Sequence, residues 1–438
     1  MRLLGPATLA RYRGRIFNSH PALLPKFGGK GMYGSNVHQA VLDAGESVTG
    51  VTIHHVDDQY DHGATLAQCE VPVLPNDTLE ALEERVKERE RRFWVETLSS
   101  LSCPSHAGVN LDAAQDIKDR IKSLVAPTHG AQVLGGVGGF GALYRLSGYA
   151  DPVLVSSTDG VGTKLKLAIM MDRYDTVGED LVNACINDII VCGAQPLFFL
   201  DYLAVAALES DVVEALIAGM ARACEQAECA LIGGETAQMP GLYADGDFDM
   251  AGFVVGAVER DNILDGSAIR PGDTIIGIPS NGLHTNGYSL VRHALGLDDD
   301  PSLLNEVVPE LGEDVTLGDA LLLPHPSYVD AVRPVLPMLK GMAHITGGGI
   351  VENIPRILPD STAAHFDSSA WRVPPIFTLL QERAAISREE MYRVFNMGIG
   401  MTLICDPTQA DAVLNAIPSA EVVGEITLDT NDERVSIV

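Results

Sequence analysis

Glycine falls in tight clusters along this chain, and nearly every cluster follows a short apolar run and carries an acid, a lysine or a histidine. Ser157-Thr158-Asp159-Gly160-Val161-Gly162-Thr163-Lys164 follows the apolar stretch 153–156, and Gly233-Gly234-Glu235-Thr236 follows 230–232. Residues 280–287 and 344–349 are polar glycine loops with one histidine each, His284 and His344, and Gly135, Gly136, Gly138, Gly139 and Gly141 form a further cluster. A run that stops at glycines is a strand ending in a loop whose backbone can approach a ligand closely. Between the clusters, strand-like runs (153–156, 198–204) alternate with helical patterns (179–191, 211–227), and a new strand is predicted at 274–278. The fold class expected is therefore α/β, in the broad sense that includes α+β. No short fixed-period repeat is present.

At 438 residues the chain exceeds what one hydrophobic core serves, so several domains are expected. Residues 1–98 form a first segment ending in a charged amphipathic helix, with Leu79, Leu82, Val86 and Phe93 at helical spacing. Residues 99–106, with Ser, Cys and Pro, read as a linker, followed by α/β units at 107–272 and 273–438. Residues 1–98 carry 11 basic against 13 acidic side chains, the remainder 19 against 46, so the formal charge of -29 arises almost wholly after the first segment. So negative a surface argues against nucleic acid, whose phosphates require a basic footprint. It leaves room for anionic small molecules, because a cleft can hold phosphate with Mg²⁺, a few lysines and backbone N–H groups. No apolar run approaches the about eighteen residues needed to span a bilayer, and residues 1–15 lack the apolar core of a signal peptide, so a cytoplasmic protein with no membrane partner is expected. Seven cysteines without a CxxC pair read as reduced thiols, neither a disulfide framework nor a zinc site.

The chemistry is expected where carboxylates meet glycine turns. Asp159 can hold Mg²⁺ through an oxygen, Lys164 can neutralise a phosphate oxygen, and Gly160 and Gly162 let backbone approach the anion. Asp180, Asn183 and Asn187 fall on one face of a predicted helix that is otherwise apolar, and three such groups are costly to bury unless they bind something. Asp188 follows them, and Glu235 is placed as a third metal ligand. His284 is the candidate for proton transfer.

Together, the glycine cluster 138–141, the Asp159–Lys164 loop, Asn187-Asp188 with residues 193–202, then 233–240, 286–292, 344–349 and 395–401 resemble the phosphoribosylformylglycinamidine cyclo-ligase (aminoimidazole ribonucleotide synthetase) family in its own order from about Ala107 to the end. Gln238 stands where that family often has a second acid, Asn110 where Asp is usual, and Thr285 where Ser is common. The resemblance implies ATP-dependent ring closure of formylglycinamidine ribonucleotide in purine biosynthesis, a two-domain ATP-binding fold whose second domain is ferredoxin-like, and a homodimer. It implies ATP and Mg²⁺ as cofactors, with Mg²⁺ on Asp159, Asp188 and Glu235. Nucleotide contacts are implied at Lys122, Gly138, Gly139, Gly160, Gly162, Asn187, Thr346, Gly347 and Gly348, with Lys164 and His284 in catalytic roles. The superfamily's selenophosphate synthetases would carry a reactive cysteine near the first glycine cluster, and residues 122–146 contain none. Thiamine-phosphate kinase, and a noncatalytic scaffold among purine enzymes, are the remaining rivals.

The first segment resembles the C-terminal half of glycinamide ribonucleotide formyltransferase at residues 18–25, 51–54 and 60–63, with Ser19 where Ile is usual. It implies a partial α/β segment whose Asn18, His20 and Asp61 descend from a formyl-transfer site. Because the matching phrases come from that family's later half, the expectation is a truncated, vestigial copy, with a bifunctional fusion as the alternative.

Overall fold

The computed structural model describes residues 4–12, 15–101, 111–136, 138–429 and 434–438; Asn110 and most of the expected linker lie outside them. The chain divides into two compact units, residues 1–108 and 109–438.

In the first unit, β1 (Phe17–His20), β2 (Val48–His55) and β3 (Thr65–Pro72) form an antiparallel sheet in the order β1-β2-β3. The helices Ser35–Asp43 and Leu79–Leu101 pack on it. The spacing of Leu82, Val86 and Phe93 puts all three on one helix face, and that face closes a small core with Val41, Val51, Ile53 and Val71.

The second unit has two sheets. β4 (Pro152–Gly160), β5 (Gln195–Val205), β6 (Ala230–Gln238) and β7 (Phe248–Glu259) lie in the order β4-β7-β5-β6, with only β5 and β6 parallel. A parallel pair needs a crossover, supplied by the helix Ser210–Gln226. The helix Val177–Ile190 covers the same face of the sheet and crosses Ser210–Gln226 so closely that a Cβ on Gly178 would collide with the backbone of Leu216. Residues alternate in burial along β4, leaving the other face of this sheet open in the single chain, with Leu154 62% and Phe253 44% exposed.

The second sheet is β8 (Thr274–Pro279), β9 (Leu339–His344), β10 (Thr362–Phe366), β11 (Ile399–Cys405), β12 (Glu421–Leu428) and β13 (Val435–Ile437), ordered β13-β10-β12-β8-β11-β9. Four successive strands ending at the β9 edge, β12-β8-β11-β9, are antiparallel throughout and run fourth, first, third, second among themselves in chain order, the ferredoxin-like arrangement expected. β11 is buried along its whole length, which is why residues 399–405 show no polar alternation. The two halves of this unit share one continuous apolar core. The six described cysteines are all free.

Candidate active site

The side chains with chemistry gather where the loops of the two sheets meet. β4 runs out at Asp159 and Gly160, and Gly162 turns the chain with φ +69° into the helix Lys164–Met170. Asp188, near the end of the helix Val177–Ile190, lies beside β4: the Ser157 hydroxyl donates to its Oδ2 at 3.1 Å. Asp159 and Asp188 are close enough to repel. Burial pushes the Asp159 carboxyl above the usual carboxylate range, opposed by the hydrogen bond from Gly160 N–H and aided by the Asp188 charge.

From the other half come two loops. Thr163 Oγ1 and Ser289 Oγ are 2.9 Å apart, so the loop after β4 touches the first turn of the helix Tyr288–Leu295. A Cβ on Gly347 would lie 3.3 Å from Asn286 Oδ1, so the loop after β9 meets the same region. Asn353 braces that loop by donating to the carbonyls of Gly347 and Gly349, while Thr346 Oγ1 donates to Asn353 Oδ1. His344 closes the circuit, with Nδ1 2.9 Å from Asp188 Oδ1.

Several expected site residues take other roles. Lys164 does not face a ligand: it is fully buried, with Nζ 2.9 and 2.8 Å from the two oxygens of Asp180 and donating to the Leu323 carbonyl at 2.7 Å. Burial lowers the Lys164 pKa and raises that of Asp180, and each partner's charge opposes the shift. Asn187 is likewise consumed. Its Oδ1 accepts from Tyr328 N–H at 3.0 Å, and its Nδ2 donates to the Pro326 carbonyl at 2.9 Å and lies 3.1 Å from His325 Nε2. The polar face 180–183–187 does bind something: the backbone of residues 325–328. His284 is 1% exposed with φ +62°, and its ring stacks on His325 at 4.1 Å; burial holds it well below the usual histidine range. It opens onto no solvent from which to move a proton to a substrate.

Glu235 is also placed differently from the expected metal set. Register sets Asp159, Gly252, Asp201 and Gly234 in one row across β4-β7-β5-β6, and Glu235 pairs with Tyr202. Alternation then turns the Glu235 side chain to the opposite face of the sheet. The carboxylate on the inner row is Asp201, 8% exposed and pushed up to about 7 by burial, with Glu235 adding to the shift. Asp201 and His325 are the two groups that spacing did not single out; an acid inside the apolar run 196–205 and a histidine between two prolines after 321–323 were the available signals. Lys122 is exposed, and its Cε lies 3.8 Å from where a Cβ of Gly138 would stand, so helix Leu111–Val125 brings it to the expected glycine cluster at Gly138 and Gly139.

The first unit gathers its own group: Asn18 Nδ2 is 3.2 Å from His54 Nε2, His20 Nδ1 is 3.4 Å from Asp61 Oδ2, and Gly29 N–H donates to that same oxygen at 3.0 Å.

Residues 141–258 match the family model for the AIR synthase related protein N-terminal domain, residues 270–436 that for its C-terminal domain, and residues 1–98 that for formyl transferase. The phosphoribosylformylglycinamidine cyclo-ligase of Thermoanaerobacter pseudethanolicus is 50% identical over 325 residues, covering 73% of this chain and 96% of that protein. Those of Desulfitobacterium hafniense and Xanthomonas campestris pv. campestris are 51% and 48% identical, over 95% and 98% of their lengths and 73% and 76% of this chain. Among solved structures, thiamine-monophosphate kinase from Stenotrophomonas maltophilia superposes with a TM-score of 0.52 at 20% identity, covering 73% of this chain and 94% of that one. The hydrogenase maturation protein HypE in complex with ATP does so at 0.52 and 16%, covering 73% and 90%. These two likenesses concern the fold alone.

Proposed function

The chain belongs to the phosphoribosylformylglycinamidine cyclo-ligase family, and from that premise we propose that its second unit closes the imidazole ring of formylglycinamidine ribonucleotide at the expense of ATP, releasing ADP and phosphate. A formamide carbon is a poor electrophile and its oxygen a poor leaving group. Transfer of the γ-phosphoryl to that oxygen makes it a phosphate leaving group, and the amidine nitrogen then attacks the formyl carbon. The protein's share is positioning and charge compensation, with no protein nucleophile required.

The observation that carries this reading is the meeting of Asp159 and Asp188 beside the glycine loops of both halves. Two crowded carboxylates, one of them raised by burial and by the other's charge, are the donor set that a hard divalent cation takes. Asp159 and Asp188 are proposed to hold Mg²⁺, which supplies neutralisation of the triphosphate. The residue 161–162 and 346–348 loops offer backbone N–H groups to phosphate oxygens, while the Gly160 N–H is taken by Asp159, and Lys122 with Gly138 and Gly139 lies at the nucleotide's margin. ATP itself is supported by the shared fold of HypE in complex with ATP.

ADP release dependent on formylglycinamidine ribonucleotide tests the proposal: Asp159→Asn is expected to lose about a hundredfold or more in kcat, as loss of a charge-compensating group does. Equal turnover in the two proteins removes the metal assignment. A homodimer is proposed through the open face of the β4-β7-β5-β6 sheet, and a cytoplasmic setting, where ATP is supplied, goes with this reading.

The juxtaposed Asn18, His54, His20 and Asp61 favour a second reading for the first unit, residual formyl transfer. Turnover with a formylfolate donor that disappears in Asn18→Ala would establish it.

A further inference from the structure

Asp188 is not a free carboxylate on a helix. Its Oδ2 accepts from Ser157, and its Oδ1 is held by His344 Nδ1. The His344 ring, 3% exposed, meets His325 Nε2 through its own Nε2 at 3.0 Å. His325 is held at its backbone and at one edge and one face of its ring: its N–H donates to Asp180 Oδ1 at 2.7 Å, its carbonyl accepts from Asn183 Nδ2 at 2.8 Å, Asn187 Nδ2 faces its Nε2, and His284 stacks on its ring. Asp180, Asn183, Asn187 and Asp188 all stand on the helix Val177–Ile190. The path therefore leaves that helix, passes through His325 and His344 of the other half, and returns to the same helix at Asp188.

We propose that His325 is a positioning residue for ring closure: through its Nε2 contact with His344 it fixes the orientation of the Asp188 carboxylate. This rests on the reading of Asp188 as a cation-holding group. Partners one layer behind a metal ligand set its orientation, and their loss typically weakens metal binding by about 10–100-fold. The backbone contacts of His325 do not depend on its ring and are kept by glutamine and asparagine, whereas the hydrogen-bond contact with His344 is made by the ring nitrogen.

The test compares His325→Gln, His325→Asn and Asp188→Asn in the full chain, measuring Mn²⁺ affinity by electron paramagnetic resonance in the presence of a non-hydrolysable ATP analogue, together with melting temperature, kcat and KM. The glutamine amide reaches the place of Nε2 and the asparagine amide does not. His325→Asn is expected to weaken Mn²⁺ binding about tenfold, and His325→Gln to restore most of it. In His325→Asn, kcat falls while KM for formylglycinamidine ribonucleotide stays within about twofold of wild type. Lowered melting in both His325 variants with Mn²⁺ affinity intact overturns the proposal and leaves His325 a packing residue; so does equal weakening in both. Normal Mn²⁺ affinity in Asp188→Asn defeats the reading of Asp188 itself, whereas weak binding there beside normal binding in His325→Asn defeats the positioning role alone. Stoichiometric zinc in the purified protein, lost in His325→Asn, overturns it by assigning the three histidines to a metal.

Discussion

Lys164 shows how the same residue type serves opposite ends. Beside a glycine loop it reads as a phosphate contact, yet with Asp180 it forms a buried ion pair within the first half of the second unit, tied to the other half through the Leu323 carbonyl and the His325 N–H. Removing one member of such a pair leaves an uncompensated charge, so Lys164→Met is expected to destabilise the unit by about 3–5 kcal/mol, while Lys164→Met with Asp180→Leu recovers most of the loss. Denaturant titration of the three proteins checks this. Asp201 supplies a pH-dependent term. Its folded carboxyl is raised to about 7 from an unfolded value of 3.8, so the folded state binds the extra proton between those limits and stability falls as pH rises through that window. Asp201→Asn keeps the shape and removes the ionisation, so it should melt above wild type beyond pH 7 and converge with it toward pH 4; parallel melting curves would show that Asp201 ionises freely.

At the level of elements, the two sheets behave differently. The ferredoxin-like sheet buries β11 completely, whereas β4 and β7 turn Leu154 and Phe253 to the open face. An exposed apolar sheet face in a single chain marks an association surface. Leu154→Glu, combined with Phe253→Glu, is expected to convert a dimer to a monomer in light scattering, with far-ultraviolet circular dichroism unchanged. The alternation that exposes Leu154 is readable along β4. The register that sets Asp201 opposite Gly252, in the row of Asp159, and Glu235 opposite Tyr202 is not, because each follows a register shift, between Pro196 and Phe198 against β7 and between Phe199 and Leu200 against β6.

For the molecule as a whole, the cyclo-ligase relatives find 95–98% of their length within 73–76% of this chain, and the second unit has its own continuous core. Residues 109–438 alone are therefore expected to turn over formylglycinamidine ribonucleotide with kcat near that of the full chain. Loss of that activity on excision of the first unit, with the remainder folded, would show that the first unit contributes to the site.

Glycine turns, apolar periodicity and the order of the motifs determined the family, the α/β class and the neighbourhood of Asp159, Asp188 and the 346–348 loop, because each is a local property written within a few residues. The partners of Lys164, Asn187, His284 and Glu235 were decided only by the tertiary structure. Each depends on which segment, elsewhere in the chain or on the next strand, arrives opposite it, and a side chain buried there meets whatever groups that packing supplies.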